Sequence, residues 1–346
     1  MVLTGSMLFV PRKLLGIHVP SWLAPALGYA ISIGSLIWAF HGVDFRALIK
    51  DYASIVWAWV PLAVIADLSV YVWQSVRWNL LLAPVKRVSR WRSVQAIYVG
   101  LFANEILPMR PGEVIRAYLL GRWSDARFSV VLSSVIIERI FDGIWLMLAF
   151  FVATLVVPMP RFLVEGGKLT AVFVAVVAVL LAIVMFRKHH AHAVVSTTRW
   201  ATTLRGLVED LHLMGRSRAF YASFLASLPY LLLQVLPIYF LMRAYTLDLS
   251  FWAATVVLLI VRLGTILPQA PGNVGVLQIL TELALKLFGV DKTTAAGFSA
   301  IVWIVITAPL LAAGSVALIV TGMRFAELRR HAETLSPVPA ADPQAR

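Results

Sequence analysis

Residues 106–114 read ILPMRPGEV, and residues 266–274 read ILPQAPGNV. Six of the nine positions are identical at an offset of 160. Each string interrupts a long apolar stretch, 93–120 in the first case and 251–288 in the second. Proline and glycine in the middle of such a stretch break the helix and free backbone N–H and C=O groups. Lipid cannot satisfy those groups, so each break must be sheltered by protein. The first stretch is too short to cross a membrane twice as regular helix. It is therefore expected to form a re-entrant hairpin of two half-helices meeting near the midplane. The second is long enough for two short spans or for a hairpin of the same kind.

Working outward, the composition demands a lipid solvent. Apolar residues make up 60% of the 346, charged residues 14%, and the mean hydropathy is +0.86. A soluble globular chain carries about 25% charged residues, so a soluble enzyme, a disordered protein and a secreted disulfide scaffold are excluded. Cysteine is absent, which removes disulfides and thiolate chemistry. The net charge of +13 fits basic cytoplasmic loops better than nucleic acid, because no basic stretch sits on a polar domain. No nucleic-acid partner, cofactor or metal is expected. The three histidines His189, His190 and His192 read as a basic flank.

Six further stretches are long enough to span: 22–40, 54–82, 128–157, 169–186, 219–242 and 294–322. With both hairpins returning to the side they entered from, 18 Lys and Arg fall on the side of the N-terminus and 6 on the other. The positive-inside rule then places both termini in the cytoplasm, in a bacterial-type inner membrane. The expected fold class is an all-α polytopic membrane protein with six transmembrane helices and two opposed re-entrant helical hairpins in an inverted repeat. Expected boundaries are a cytoplasmic segment 1–21, a transmembrane domain 22–322, repeat units 54–157 and 219–322, and a partly disordered cytoplasmic tail 323–346. Between the units, Trp200, Leu204, Leu207, Leu211 and Met214 form one helical stripe, predicting an amphipathic helix over 194–218 in the headgroup plane.

The two units face opposite ways, and inverted repeats with broken helices recur in transporters, with the site where the breaks meet. A half-helix that starts at the break points unpaired N–H groups and a positive dipole end at the midplane, which suits an anion. The expected hairpin breaks are Pro108, Pro111, Gly112, Pro268, Pro271, Gly272 and Gly275.

Charge is concentrated in the first unit: Asp67, Arg77, Glu105, Arg110, Glu113, Arg116, Glu138, Arg139 and Asp142. Each costs about 3 kcal/mol or more to insert unpaired, so partners are required. Two readings compete. In one, these residues are ion pairs that lock the hairpin to its neighbours, with Glu113–Arg116 and Arg139–Asp142 three apart on one helix face. In the other, Arg110, Arg116 and Arg139 bind an anionic headgroup, helped by Glu113 and by the hydrogen bonders Asn104, Asn273 and Gln278. Asp67, Arg77, Glu138 and Asp142 stand as ion pairs or proton carriers.

The string ANEILPMRPGEVIRAYLL, followed by IIERIFDG, resembles the transmembrane domain of the lysylphosphatidylglycerol synthase/flippase family. The resemblance rests on Asn104, Pro108, Arg110, Gly112, Glu113, Arg116, Glu138, Arg139 and Asp142, with Arg77–Trp78, Pro268, Pro271–Gly272 and Gly275 also fitting, and covers roughly residues 20–325. It implies flippase-like movement of lipids between leaflets, with aminoacylated phosphatidylglycerol, polyprenyl-linked glycolipid or hopanoid substrates among its members. Synthase members carry a soluble aminoacyl-transferase domain after the membrane part. This sequence stops 24 residues after its last stretch, so aminoacylation is not expected.

The function expected from the sequence is a lipid transporter rather than an enzyme, with membrane lipids as its partners. A lipid-headgroup transferase is the first rival. A scaffold for lipid-synthesis enzymes is the second, and a small-anion transporter is a third.

Overall fold

The computed structural model of the protein describes residues 23–107, 110–186, 209–215, 217–264 and 271–322. All regular structure in them is helical. The order is α1 (Leu23–Phe40), α2 (Phe45–Ala53), α3 (Trp59–Leu82), α4 (Arg90–Ile106), α5 (Gly112–Ser124), α6 (Phe128–Val156) and α7 (Arg161–Phe186). After the interval come α8 (Arg218–Ala244), α9 (Phe251–Gly264), a 3-10 turn (Pro271–Asn273), α10 (Val276–Lys286) and α11 (Lys292–Thr321). The breaks expected from proline and glycine are where the sequence placed them: α4 ends before Arg110, and α9 before the 3-10 turn.

Among the described residues, four helices are long and apolar enough to cross a membrane: α3, the 161–183 portion of α7, α8 and α11. A fifth span arises if α1 and α2 are one span bent by 84°. The chain is thus a multi-pass membrane protein. The sequence predicts one span over 22–40; the structure adds α2 to it across the bend. Gly42 at φ +73° makes the turn, and Asp44 starts α2 by accepting hydrogen bonds from the N–H groups of Arg46 and Ala47. At 29 residues α6 has the length to cross, but it carries Glu138, Arg139 and Asp142 and is not one of the four.

Packing follows the repeat. The most extensive interface is between α3 and α8, the first long helices of the two units. Around this pair every contact in one unit has a counterpart in the other: α3 with α4 and α8 with α9, α5 with α6 and α10 with α11. The hairpins also cross over, α4 packing on α11 and α9 on α6. Two clusters of buried side chains result. One joins α3, α4, α5 and the start of α6. The other joins α8, α9, α10, α11 and the end of α6. Because lipid is as apolar as leucine, close packing rather than the hydrophobic effect must hold such helices together. Small residues permit it: a Cβ on Gly112 would strike the Gly100 carbonyl and the Asn104 side chain, so α4 and α5 touch backbone to backbone.

Two prolines interrupt the ladder of α8, and two indoles bond to carbonyls just before the first, Pro229. Pro229 and Pro237 lie inside α8, and a proline there removes a hydrogen bond from the helix ladder. Just before Pro229, Trp73 Nε1 on α3 donates to the Ala226 carbonyl at 2.9 Å and Trp145 Nε1 on α6 donates to that of Phe224 at 2.9 Å. At the outer edge, α7 exposes Leu169, Val172, Phe173 and Val176, as a helix facing lipid should.

Most of the amphipathic stripe expected over 194–218, the segment 1–21 and the tail 323–346 lie outside the described residues. Its visible end, 209–215, is helical. Leu211 and Met214 are buried in the cluster of α3, α4, α5 and α6, and Asp210 accepts from Arg127 Nη2 at 2.5 Å and from Ser129 Oγ at 3.0 Å. This end of the stripe therefore docks on the protein itself.

Candidate functional site

The two breaks meet. Between α4 and α5 the chain turns with Arg110 at φ +50°, a left-handed conformation that a non-glycine residue adopts only where its surroundings hold it. The Arg110 guanidinium points across to the other hairpin, and its Nη1 donates to Asn273 Oδ1 at 2.9 Å. On that side the backbone makes three left-handed turns, at Gly272 (φ +73°), Asn273 (φ +55°) and Gly275 (φ +85°). A Cβ on Gly272 would lie 3.4 Å from Glu105 Oε2 at the tip of the first hairpin. Trp303 Nε1 on α11 donates to the Gly272 carbonyl at 2.7 Å and holds the turn. Gly275 sits against the α1 backbone, so closely that a Cβ would collide with the Ser32 carbonyl.

At each break one N–H of the helix start is bonded by a side chain of the same hairpin. Asn104 Oδ1 accepts from Gly112 N at 2.7 Å, capping α5, and Glu113 lies in the first turn of that helix. Gln278 Oε1 accepts from Gly275 N at 2.6 Å, capping α10. Open N–H groups were the anion site expected from the sequence. In the structure these two donors are already bonded, and cationic side chains take their place as the exposed positive charge.

Those side chains line a cavity of about 150 Å³ between the hairpins. Its ionisable lining is Asp67, Glu105, Glu113, Arg110, Arg139 and Arg262, and its remaining polar groups include Gln74, Gln234 and Asn273. The rest of the wall is largely apolar, with Val257, Leu258 and Ile306. Three acids face three arginines, so the fully ionised cavity is neutral. The arginines differ in availability. Arg139 keeps 46% of its side chain exposed while bonded to Glu113. Arg262 donates to Gln234 Oε1. Arg110 is held by the neutral Asn273 rather than by a carboxylate at bonding distance.

Behind the cavity wall is a buried lattice of charge. Arg77 is fully buried and bonds to Glu138 at 3.1 Å, to Asp142 and to Ser227 Oγ at 3.1 Å, with its guanidinium over the Tyr230 ring. Glu138, also fully buried, bridges Arg77 to Arg116 Nη2 at 3.0 Å. Arg116 bonds to Glu113 at 2.7 Å and lies over the Trp78 ring, whose Nε1 donates to Ser134 Oγ at 2.8 Å. Arg139 closes the chain to Asp142 at 3.6 Å. Four helices, α3, α5, α6 and α8, are joined in this way. The charges are thus paired as the first reading expects, and part of the lattice opens on the cavity.

Of the residues singled out in the sequence, Arg110, Arg139, Asn104, Glu113, Asn273 and Asp67 come together at the cavity. Arg116 and Gln278 do not line it; the first is committed to the lock and the second to its helix cap. Arg77, Glu138 and Asp142 are in the lock. Pro108 and Pro268 lie outside the described residues, while Pro111, Gly112, Gly272 and Gly275 shape the two breaks. Seven polar lining residues were not singled out as site residues: Tyr71, Gln74, Glu105, Tyr230, Gln234, Arg262 and Thr281. Glu105 and Arg262 had a signal, being ionisable residues inside apolar stretches. Gln234 and Tyr230 had none, because an uncharged polar residue in a span is commonplace.

Residues 26–314 match the profile described as the lysylphosphatidylglycerol synthase TM region. The chain belongs to this family. Within the lysylphosphatidylglycerol synthase TM region family it is similar to a UPF0104 membrane protein of Methanothermobacter thermautotrophicus, 25% identical over 288 residues, which is 77% of this chain and 83% of that protein. It is also similar to a UPF0104 membrane protein of Methanocaldococcus jannaschii, 32% identical over 120 residues, about a third of each chain. No solved structure matches it. The profile takes in both hairpins and the charged lock, so the family match and the site describe the same part of the molecule.

Proposed function

We propose that the protein moves an amphiphile with an anionic or zwitterionic headgroup between membrane leaflets. The substrate class is a phospholipid, a polyprenyl-linked glycolipid or a hopanoid, and the protein performs no chemical conversion. The observation that carries the reading is the cavity where the two broken helices meet. Cationic Arg110 and half-exposed Arg139 line it beside an apolar wall. An arginine fork matches the oxygens of a phosphate, and the apolar wall suits the start of an acyl or prenyl chain. In this reading α6 and the α1–α2 pair bring the spans to six, and the two hairpins are re-entrant from opposite sides. The units form an inverted repeat, and both termini are cytoplasmic in an inner membrane. Rocking of one unit against the other exposes the cavity to each leaflet in turn. The crossed packing of α4 on α11 and α9 on α6 couples the hairpins to that motion.

The test uses the full chain in vesicles containing a fluorescent phosphatidylglycerol, with leaflet residence read by quenching from outside. Wild-type protein is expected to speed exchange between leaflets relative to empty vesicles. Arg110→Ala is expected to slow it at least tenfold while the unfolding temperature in detergent holds. Rates equal to those of empty vesicles, with phosphatidylglycerol and with glycosylated prenyl-phosphate probes alike, would overturn the proposal. Native mass spectrometry of the gently purified protein beside Arg110→Ala supplies the second readout, a retained anionic lipid that the variant loses.

A further inference from the structure

The six ionisable side chains of the cavity cancel one another, and two of the acids are not engaged as the others are. Asp67, on α3, is 6% exposed, and its Oδ2 is buried with no hydrogen-bond partner. Glu105, at the end of α4, has its Oε2 buried and unpartnered. Both residues line the cavity. Elsewhere in the site the carboxylates are saturated: Glu113 holds Arg116 and Arg139, and Glu138 holds Arg77 and Arg116. A buried carboxylate oxygen without a donor leaves a position that a proton can fill.

Resting on the lipid-transport reading, we propose that Asp67 and Glu105 together hold one exchangeable proton, taken up when an anionic headgroup occupies the arginine side of the cavity and released when the headgroup leaves. The charge balance sets the direction. An anion that enters a neutral cavity leaves one negative charge uncompensated at low dielectric. The arginines that line the cavity beside Asp67 and Glu105 are then shared with the headgroup. One proton on the acid pair restores neutrality, with water at the cavity mouth as donor.

The groups facing Asp67 are consistent with this role. From α9 comes Arg262, and from α4 comes Glu105; these exert the strongest charges on it. Also from α4, the Tyr98 hydroxyl donates to the Leu68 carbonyl at 2.8 Å and is thereby engaged beside Asp67. Tyr71 lies on the same helix, Tyr230 on α8 and Arg139 on α6, where it is bonded to Glu113. From α11 the lining side chains are Val302, Ile306 and Leu310, none of them ionisable. Arg110 faces Glu105 from the turn that follows α4. The acid pair therefore connects the first hairpin tip to the α3–α8 interface. Glu105 in turn lies beside the Gly272 turn of the second hairpin.

Coupling of this kind is reciprocal: a bound anion strengthens proton binding, and a proton strengthens anion binding by the same factor. The experiment follows carboxyl protonation by infrared difference spectroscopy on reconstituted full-length protein, titrated with and without a short-chain phosphatidylglycerol as probe. The expected result is a protonated-carboxyl band that is lost in Asp67→Asn and whose titration midpoint rises when the probe is added. Affinity for the probe should correspondingly strengthen by up to tenfold per unit fall in pH. If Asp67→Asn does not fold, Glu105→Gln carries the comparison. Absence of any carboxyl band sensitive to either substitution overturns the proposal. So does a band that ignores the probe, or one moved by sodium and not by pH. Leaflet exchange is measured in parallel at equal pH on both sides. If exchange fails while the band persists and responds to the probe, the transport reading falls and the proton site stands.

Discussion

The two hairpins start from nearly the same nine residues and are built differently. The first is charged. Its break carries Arg110, its second half-helix begins at once with Gly112–Glu113, and Arg116 ties it to α6 through Glu138. The second is made of backbone. Its helix begins at Val276, after a 3-10 turn and three left-handed residues, and an indole on Gly272 and the α1 backbone against Gly275 hold it in place. In α11 the only ionisable side chain is Lys292 at its first residue, whereas α6 has three in its middle. One motif has diverged into a half tied to its neighbours by charge and a half held by contacts to its backbone.

The largest effect should come from breaking the first hairpin's lock. Glu138→Ala leaves one side each of Arg116 and Arg77 uncompensated in a buried setting, expected to cost about 3–5 kcal/mol. Thermal unfolding in detergent should show it, and no single substitution in α11 should match it. If Glu138→Ala unfolds like wild type, the lattice of charge is not a lock.

Next in size are the glycines. Gly112→Ala forces α4 and α5 apart, at a cost of about 1–3 kcal/mol. Gly275→Ala should cost a similar amount but act elsewhere, parting α1 from α10. A distance probe pair on α1 and α10 should lengthen in Gly275→Ala and stay unchanged in Gly112→Ala.

The capping contacts come third. Asn104→Ala removes the cap on α5, and Trp303→Phe removes the donor to Gly272; each should cost about 1 kcal/mol. Amide exchange should rise in the helix start of α5 for the first and in residues 271–275 for the second. Exchange that rises equally in both places would mean the hairpins act as one unit.

Smallest is Asn273→Gly. Glycine accepts the left-handed backbone, so the substitution tests the side chain alone. Losing the hydrogen bond to Arg110 should change stability by about 1 kcal/mol or less. It should also let Arg110 adopt other orientations, measurable as weaker binding of phosphatidylglycerol.

Much of this was legible beforehand. Pro108 to Gly112 and Pro268 to Gly272 announced the breaks, because proline and glycine act on the backbone locally whatever surrounds them. The i,i+3 pairs Glu113–Arg116 and Arg139–Asp142 were legible because helical spacing alone brings them together. The bend between α1 and α2 was missed: a single Gly42 and an Asp44 cap are weak marks between two apolar stretches. Arg116 and Arg110 looked alike in sequence, six residues apart in one hairpin, and the structure separates them by burial. Nothing local states that Arg116 faces Glu138 on α6 while Arg110 faces Asn273 across the gap.

What the sequence determined by itself was the solvent, the helices, their two breaks and the inventory of charge, since hydropathy and backbone stereochemistry are properties of single residues and short windows. Only the tertiary structure decided which charges cancel and which remain available. That depends on distances between helices far apart in the chain: Arg77 on Glu138, Arg110 on Asn273, and Asp67 and Glu105 facing a cavity with an oxygen each unpaired.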